Sequence, residues 1–286
     1  MSVSAQPHRR AFLLMLVSVA SFTANVLLVR ALGEMGAANI WIVSCARFVV
    51  GLGLILTVYR AEFEPSHLFR NRKLVERGLV GGLGVFLTYL TVVKIGAGRA
   101  IFIGDTYVIF GALLAAWMLR ERLRSSVLVG SVAALAGLGL LTNVFANGAH
   151  PGLYDLVAVG TALLSAWVVV TIRQLHATEH TSTIFAAQCV YGLALCAGPA
   201  IATAAAVPPA AWGVMALASL AAGAGQLTMT RAFRDLPVAE GSLLQMLVPL
   251  GVTLGGIAFF GERFSAHETI GAVLILAGTV FTALRR

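Results

Sequence analysis

From Thr181 to Thr230 the chain runs for fifty residues without an Asp, Glu, Lys or Arg. A bilayer core roughly 30 Å thick takes about 20 apolar residues per crossing helix, so this stretch is longer than one span can use. Pro208-Pro209 divides it, because a proline ring breaks a helix that began before it. A second stretch, Ser125 to Ile172, carries Asp155 as its only charge and is divided at Asn147-Gly148-Ala149-His150-Pro151-Gly152. Charged residues make up 11% of the chain, against about 25% in a soluble domain whose surface must face water. Lipid is the solvent this composition suits.

Cutting at loop charges and turn residues gives an all-α, polytopic membrane protein of ten spans. They are residues 11–32, 37–59, 77–95, 97–118, 125–146, 152–174, 181–206, 209–231, 238–260 and 266–284. The start, His8-Arg9-Arg10-Ala11-Phe12-Leu13-Leu14, resembles a twin-arginine export signal. No soluble domain follows it, so it reads as span 1 with its arginines held in the cytoplasm. With that orientation 15 of the 20 basic residues fall on cytoplasmic segments, Arg70, Arg72, Lys73 and Arg77 among them, and four on the other side. This positive-inside bias places both termini in the cytoplasm of a plasma (bacterial inner) membrane protein. It also accounts for the net charge of +8 without nucleic acid. Cys45, Cys189 and Cys196 lie in apolar segments with no metal-ligand spacing.

An internal repeat sets the domain organisation. Trp117-Met118-Leu119-Arg120-Glu121-Arg122-Leu123 matches Ala258-Phe259-Phe260-Gly261-Glu262-Arg263-Phe264 at an offset of 141, which also pairs Gly130 with Gly271 and Gly137 with Gly278. Near the start, Ala24-Asn25-Val26 pairs with Ala166-Trp167-Val168 at 142. The expectation is two five-helix repeats, residues 1–146 and 147–286. Five is odd, so the second enters the membrane inverted, and transporters built this way bind substrate near the midplane between repeats.

Ser21-Phe22-Thr23-Ala24-Asn25, Ala46-Arg47-Phe48, Gly98-Arg99-Ala100 and the Glu-Arg turns at 121–122 and 262–263 together resemble the drug/metabolite transporter superfamily, in its ten-helix EamA-type exporter branch. That resemblance covers nearly the whole chain and implies export of amino acids or other small metabolites. One departure stands out: members often carry a proline in span 4 to match that of span 9, whereas Pro249 here has Val108 as its mate, so the halves need not kink alike.

A polar side chain in lipid must face another helix or a wet cavity. Among the polar stripes, Asn25, Gln226 and Gln245 stand out as carboxamides whose donors and acceptor all need partners. Tyr89, Tyr107 and Trp167 are the aromatic candidates for a substrate site. Arg47 and Asp105 lie within spans, where a charge is costly; Arg47 suits a carboxylate of substrate or protein, and Asp105 suits a coupling proton. Helix–helix contact is the competing role for the polar stripes, and structural pairing is the competing role for Arg47 and Asp105. Lys94, Arg99 and Glu240 lie near span ends and can reach water.

No phosphate-binding Gly-rich loop ending in Lys-Ser or Lys-Thr occurs, nor a His-Glu-x-x-His or Gly-x-Ser-x-Gly sequence, and no cofactor or metal is expected. The expected function is secondary transport by alternating access, exporting a small neutral or zwitterionic solute, with amino acids favoured and the protein a monomer or weak homodimer in the bilayer. An intramembrane lipid-handling enzyme and a passive channel remain the alternatives.

Overall fold

The computed structural model describes residues 5–37, 39–144, 152–202, 207–261, 263 and 265–284. These form thirteen helices: α1 (Ala5–Glu34), α2 (Ile40–Val58), α3 (His67–Arg70), α4 (Arg72–Ile95), α5 (Ala97–Asp105), α6 (Tyr107–Met118), α7 (Ser125–Leu141), α8 (Leu153–Leu175), α9 (Thr181–Ala202), α10 (Pro209–Ala232), α11 (Val238–Gln245), α12 (Leu247–Phe260) and α13 (Ala266–Leu284). No strand occurs among the described residues. Eight segments are long and apolar enough to cross a membrane, α5–α6 and α11–α12 each counting as one, and the shorter apolar helices α7 and α13 complete the ten. Glu262, the turn at 147–151, Arg285 and Arg286 lie outside the described residues.

Local chemistry explains the ends. Asn39 caps α2 by accepting from Trp41 N (3.0 Å) and Ile42 N (3.4 Å), and Pro209 opens α10 at a position where a missing N–H costs nothing. Ser265 and Glu268 form a capping box before α13. Arg120 and Gly261 close α6 and α12 with φ of 54° and 68°. They are mates at the repeat offset, so both halves end this span through a left-handed residue.

Spans 4 and 9 are each interrupted for a single residue, at Thr106 and Met246, where the backbone makes i→i−3 bonds to Ile103 O (3.2 Å) and Leu243 O (3.1 Å). In span 9 the cause is Pro249, whose ring crowds the carbonyl of Gln245 and lacks a donor for it. Span 4 has no proline. There Thr106 Oγ1 donates to Ile103 O at 2.6 Å, and hydroxyl back-bonding of this kind bends helices. The two halves are thus both interrupted in this span, although Val108 replaces the proline, because a different residue disturbs the helical hydrogen bonding in each.

The chain divides into two compact units, Met1–Phe86 with Thr171–Asp235 and Leu87–Val170 with Leu236–Arg286. In the first, α1 packs on α10, and α2 on α9 and α10. Ser18 Oγ donates to Gly225 O at 2.8 Å, and the ring of Phe22 covers Gly225. The α2–α4 connection is tied to the start of α9: Asn71 Nδ2 donates to Glu179 Oε1 at 2.7 Å, and His67 lies 3.0 Å from Glu179 Oε2 and 2.9 Å from Glu64 Oε2. The hydrogen bond to Glu179 holds the His67 pKa above the ordinary histidine value. In the same unit Lys73 bonds Gln174 at 3.1 Å, and Arg173 donates to the carbonyls of Phe233 and Arg234. His176 bonds Thr230 O at 2.7 Å, and burial pushes its pKa down to about 4, leaving a neutral ring.

In the second unit α7 and α13 meet through the repeat glycines, crossed over: Gly130 against the carbonyl of Gly278, and Gly137 against that of Gly271. Absence of side chains lets the two backbones touch, as small residues do at membrane helix contacts. Val108, Leu135, Leu138, Leu243, Met246 and Ile275 form the apolar core beside this contact. Glu121, from the first Glu-Arg turn, accepts from Val238 N at 3.0 Å and so caps α11.

Candidate functional site

The interior of the first unit carries a polar cluster in an otherwise apolar setting. Arg47, on α2, donates from Nη2 to Gln226 Oε1 of α10 at 3.3 Å, and its guanidinium lies 5.8 Å from the centroid of the Phe22 ring on α1. Three helices thus converge on one cation, held by an amide oxygen and a π-face. Ser44, one turn before Arg47 on α2, is buried, and its hydroxyl has no partner among the described residues. Asn25 is 7% exposed and donates from Nδ2 to Ala218 O at 2.9 Å. That bond joins α1 to α10 and leaves its Oδ1 to accept from elsewhere.

A residue read from the sequence as a loop cation belongs to this interior. Arg77 lies inside α4, which starts five residues earlier than the expected span, and it is completely buried. Its Nη2 donates to Gln188 Oε1 of α9 at 2.9 Å, while Nε and Nη1 have no partner among the described residues. Gln188, 3% exposed, donates in turn to Gly81 O at 3.5 Å. Cys189, next to Gln188, packs against Gly51, one turn beyond Arg47 on α2. No ion pair joins either arginine to a described residue. The only sequence signal was the glycine at 81, one turn along α4, whose open Cβ position the Arg77 guanidinium fills.

The remaining candidates belong to the second unit. Asp105 is the last residue of α5 and Gln245 the last of α11, so each stands at the interruption of its span. Asp105 is half-buried and makes no ion pair or side-chain hydrogen bond with another described residue. Tyr107 follows it across the interruption as the first residue of α6. Gln245 is 9% exposed. Tyr89, in α4, and Trp167, in α8, are half-buried. Arg99, expected to reach water, instead bonds Asp155 Oδ1 through Nε at 2.6 Å, with 20% and 13% of the two side chains exposed. The structure therefore groups Arg47 with Gln226 and Phe22, and Asp105 with Tyr107. Among the described residues no cluster of three or more His, Cys, Asp or Glu could hold a metal ion.

A sequence model described as the EamA-like transporter family matches residues 9–143 and again 152–284. The Pseudopaline exporter CntI, from two strains of Pseudomonas aeruginosa, is 24% identical over 282 residues, covering 93% of this chain and 94% of the relative. One solved crystal structure, 19% identical, superposes with a TM-score of 0.82 over 96% of each chain; at that identity the likeness is one of fold.

Proposed function

This chain belongs to the EamA-like transporter family, and from that premise we propose that it exports small neutral or zwitterionic metabolites, amino acids among them, from the bacterial cytoplasm by alternating access. As a member of a transporter family it is a multi-pass membrane transporter rather than an enzyme. The observation that carries the proposal is the extent of the family match, which takes in nearly all of both repeats. An exporter of a small metabolite, similar along its full length, supports the direction of transport. Both termini lie on the cytoplasmic side of the inner membrane, the protein works as a monomer or weak homodimer, and residues 1–146 and 147–286 are its two inverted five-helix repeats.

The residues assigned to the solute are Asn25, Gln226, Tyr89, Tyr107, Trp167 and Gln245, with Arg47 as the charge partner. Asp105 is assigned to coupling, because a lone carboxyl at a helix interruption can take up and release a proton as its surroundings alternate between wet and dry. Asp105→Asn keeps the shape and removes the titration. Proteoliposomes carrying this variant are expected to exchange labelled amino acids at close to the wild-type rate and to lose acceleration by an imposed pH gradient. An unchanged pH response would return Asp105 to a structural role.

A further inference from the structure

We infer that Arg77, together with Arg47, forms a receptor for a carboxylate, the one borne by the exported solute; that occupant rests on the exporter reading, whereas the receptor itself rests on the first unit alone. A guanidinium presents five N–H groups in a planar fork, and the Arg77 fork is completely buried with one donor used, by Gln188 at 2.9 Å, and with Nε and Nη1 unmatched among the described residues. A buried charge with no counter-charge and most of its donors unmatched is among the most costly things a fold can contain.

The surroundings compound that cost. Both arginines approach the same stretch of α9: Gln188 holds Arg77, and Gly51, one turn beyond Arg47 on α2, packs against the thiol of the adjacent Cys189. Two like charges, neither paired with an acid among the described residues, are electrostatically incomplete. One anion would complete them: a carboxylate accepts two parallel bonds from an arginine fork, and its charge offsets both guanidinium groups. The supports are already set for that geometry. Gln188 is held by Gly81 O at 3.5 Å and by Arg77, Gln226 holds Arg47 at 3.3 Å, and Phe22 flanks the latter. Gly81 contributes space, because a methyl group there would displace the tip of Arg77 and meet little else. A structural clamp between α4 and α9 would need only the bond to Gln188, which a neutral glutamine at position 77 could make without burying a charge.

The test uses purified full-length protein at constant chloride and ionic strength, with thermal melting as the readout. The probes are acetate, glycine and L-leucine, each compared with its own carboxamide. At least one carboxylate is expected to raise the melting temperature where its amide does not. In Arg77→Gln and Arg47→Gln its apparent affinity is expected to fall roughly ten- to a hundredfold, the loss of a hydrogen bond to a charged group. Gly81→Ala, which retains both arginines, is expected to melt like wild type when empty and to bind the same carboxylate more weakly. The empty Arg77→Met protein, freed of an unpaired charge, is expected to melt no lower than wild type. The receptor is overturned if no carboxylate outdoes its amide, or if the difference survives in Arg77→Gln and Gly81→Ala. Counterflow of labelled amino acids through wild-type proteoliposomes is scored separately. Counterflow without a carboxylate response removes the receptor alone, and a carboxylate response without counterflow removes the amino-acid exporter reading alone.

Discussion

Gly271→Leu is expected to remove most folded protein from the membrane, the largest effect of any single substitution in the chain. A Cβ on Gly271 would lie 2.5 Å from the carbonyl oxygen of Gly137 and 2.6 Å from the amide nitrogen of Leu141. Both are backbone atoms, so no rotamer change relieves the overlap and the helices must separate. Separation also opens the Gly130–Gly278 contact two turns away, since both contacts lie on the same pair of helices. Overpacking by a methylene or two costs about 1–3 kcal/mol; alanine at 271 belongs in that range, and leucine, with three further carbons, well beyond it. Folded domains have only about 5–15 kcal/mol in hand. Gly53→Ala is the control, because nothing lies within 4 Å of a Cβ there. Size-exclusion profiles of detergent extracts should show a monodisperse peak for Gly53→Ala and almost none for Gly271→Leu. A Gly271→Leu protein with wild-type yield and melting temperature would refute the close α7–α13 contact.

The second large effect is expected at the Arg99–Asp155 pair. Asp155 accepts from Arg99 Nε at 2.6 Å and from Gly152 N at 2.7 Å, so it serves both as counter-ion and as cap for the start of α8. Breaking a buried pair by removing one partner costs about 3–5 kcal/mol, much of it the cost of the abandoned charge. Partial exposure of this pair puts Asp155→Ala at about 3 kcal/mol, near the lower end. Joint replacement, Arg99→Met with Asp155→Ala, leaves no abandoned charge and should melt closer to wild type than the single variant. A double variant destabilised by the sum of the two single changes would mean that the groups do not interact.

Which parts of this structure could be read from the sequence follows from the range over which each cause acts. The spans are set by transfer of whole segments into lipid, an additive property of composition, and α9 and α10 divide at Pro208-Pro209 as expected. The repeat glycines announced themselves through a fixed offset. That they touch in crossed pairs is a property of two helices meeting, and no single stretch of chain contains it. The interruption at Thr106 was missed because a mid-helix threonine back-bonds in many helices that continue unbroken; Pro249 allows no such continuation. Arg77 was misplaced for a related reason. It follows Arg70, Arg72 and Lys73 in sequence, so local charge density assigns it to a loop, and only the arrival of Gln188 on a helix 111 positions away shows it buried. For Asn25 both contact and solute roles were legible. The bond to Ala218 O accounts for its donor side, and the solute role remains a proposal for its acceptor.

Transport itself is tested most directly by counterflow. Proteoliposomes preloaded with an unlabelled amino-acid mixture and diluted into a trace of the same mixture carrying a radioactive label are expected to accumulate label transiently above its equilibrium level. The initial rate should saturate with external concentration, because a carrier that reorients with solute bound must exchange solute for solute. Label that merely equilibrates, at a rate proportional to concentration, would identify a passive channel, and an absence of protein-dependent flux would contradict export of amino acids.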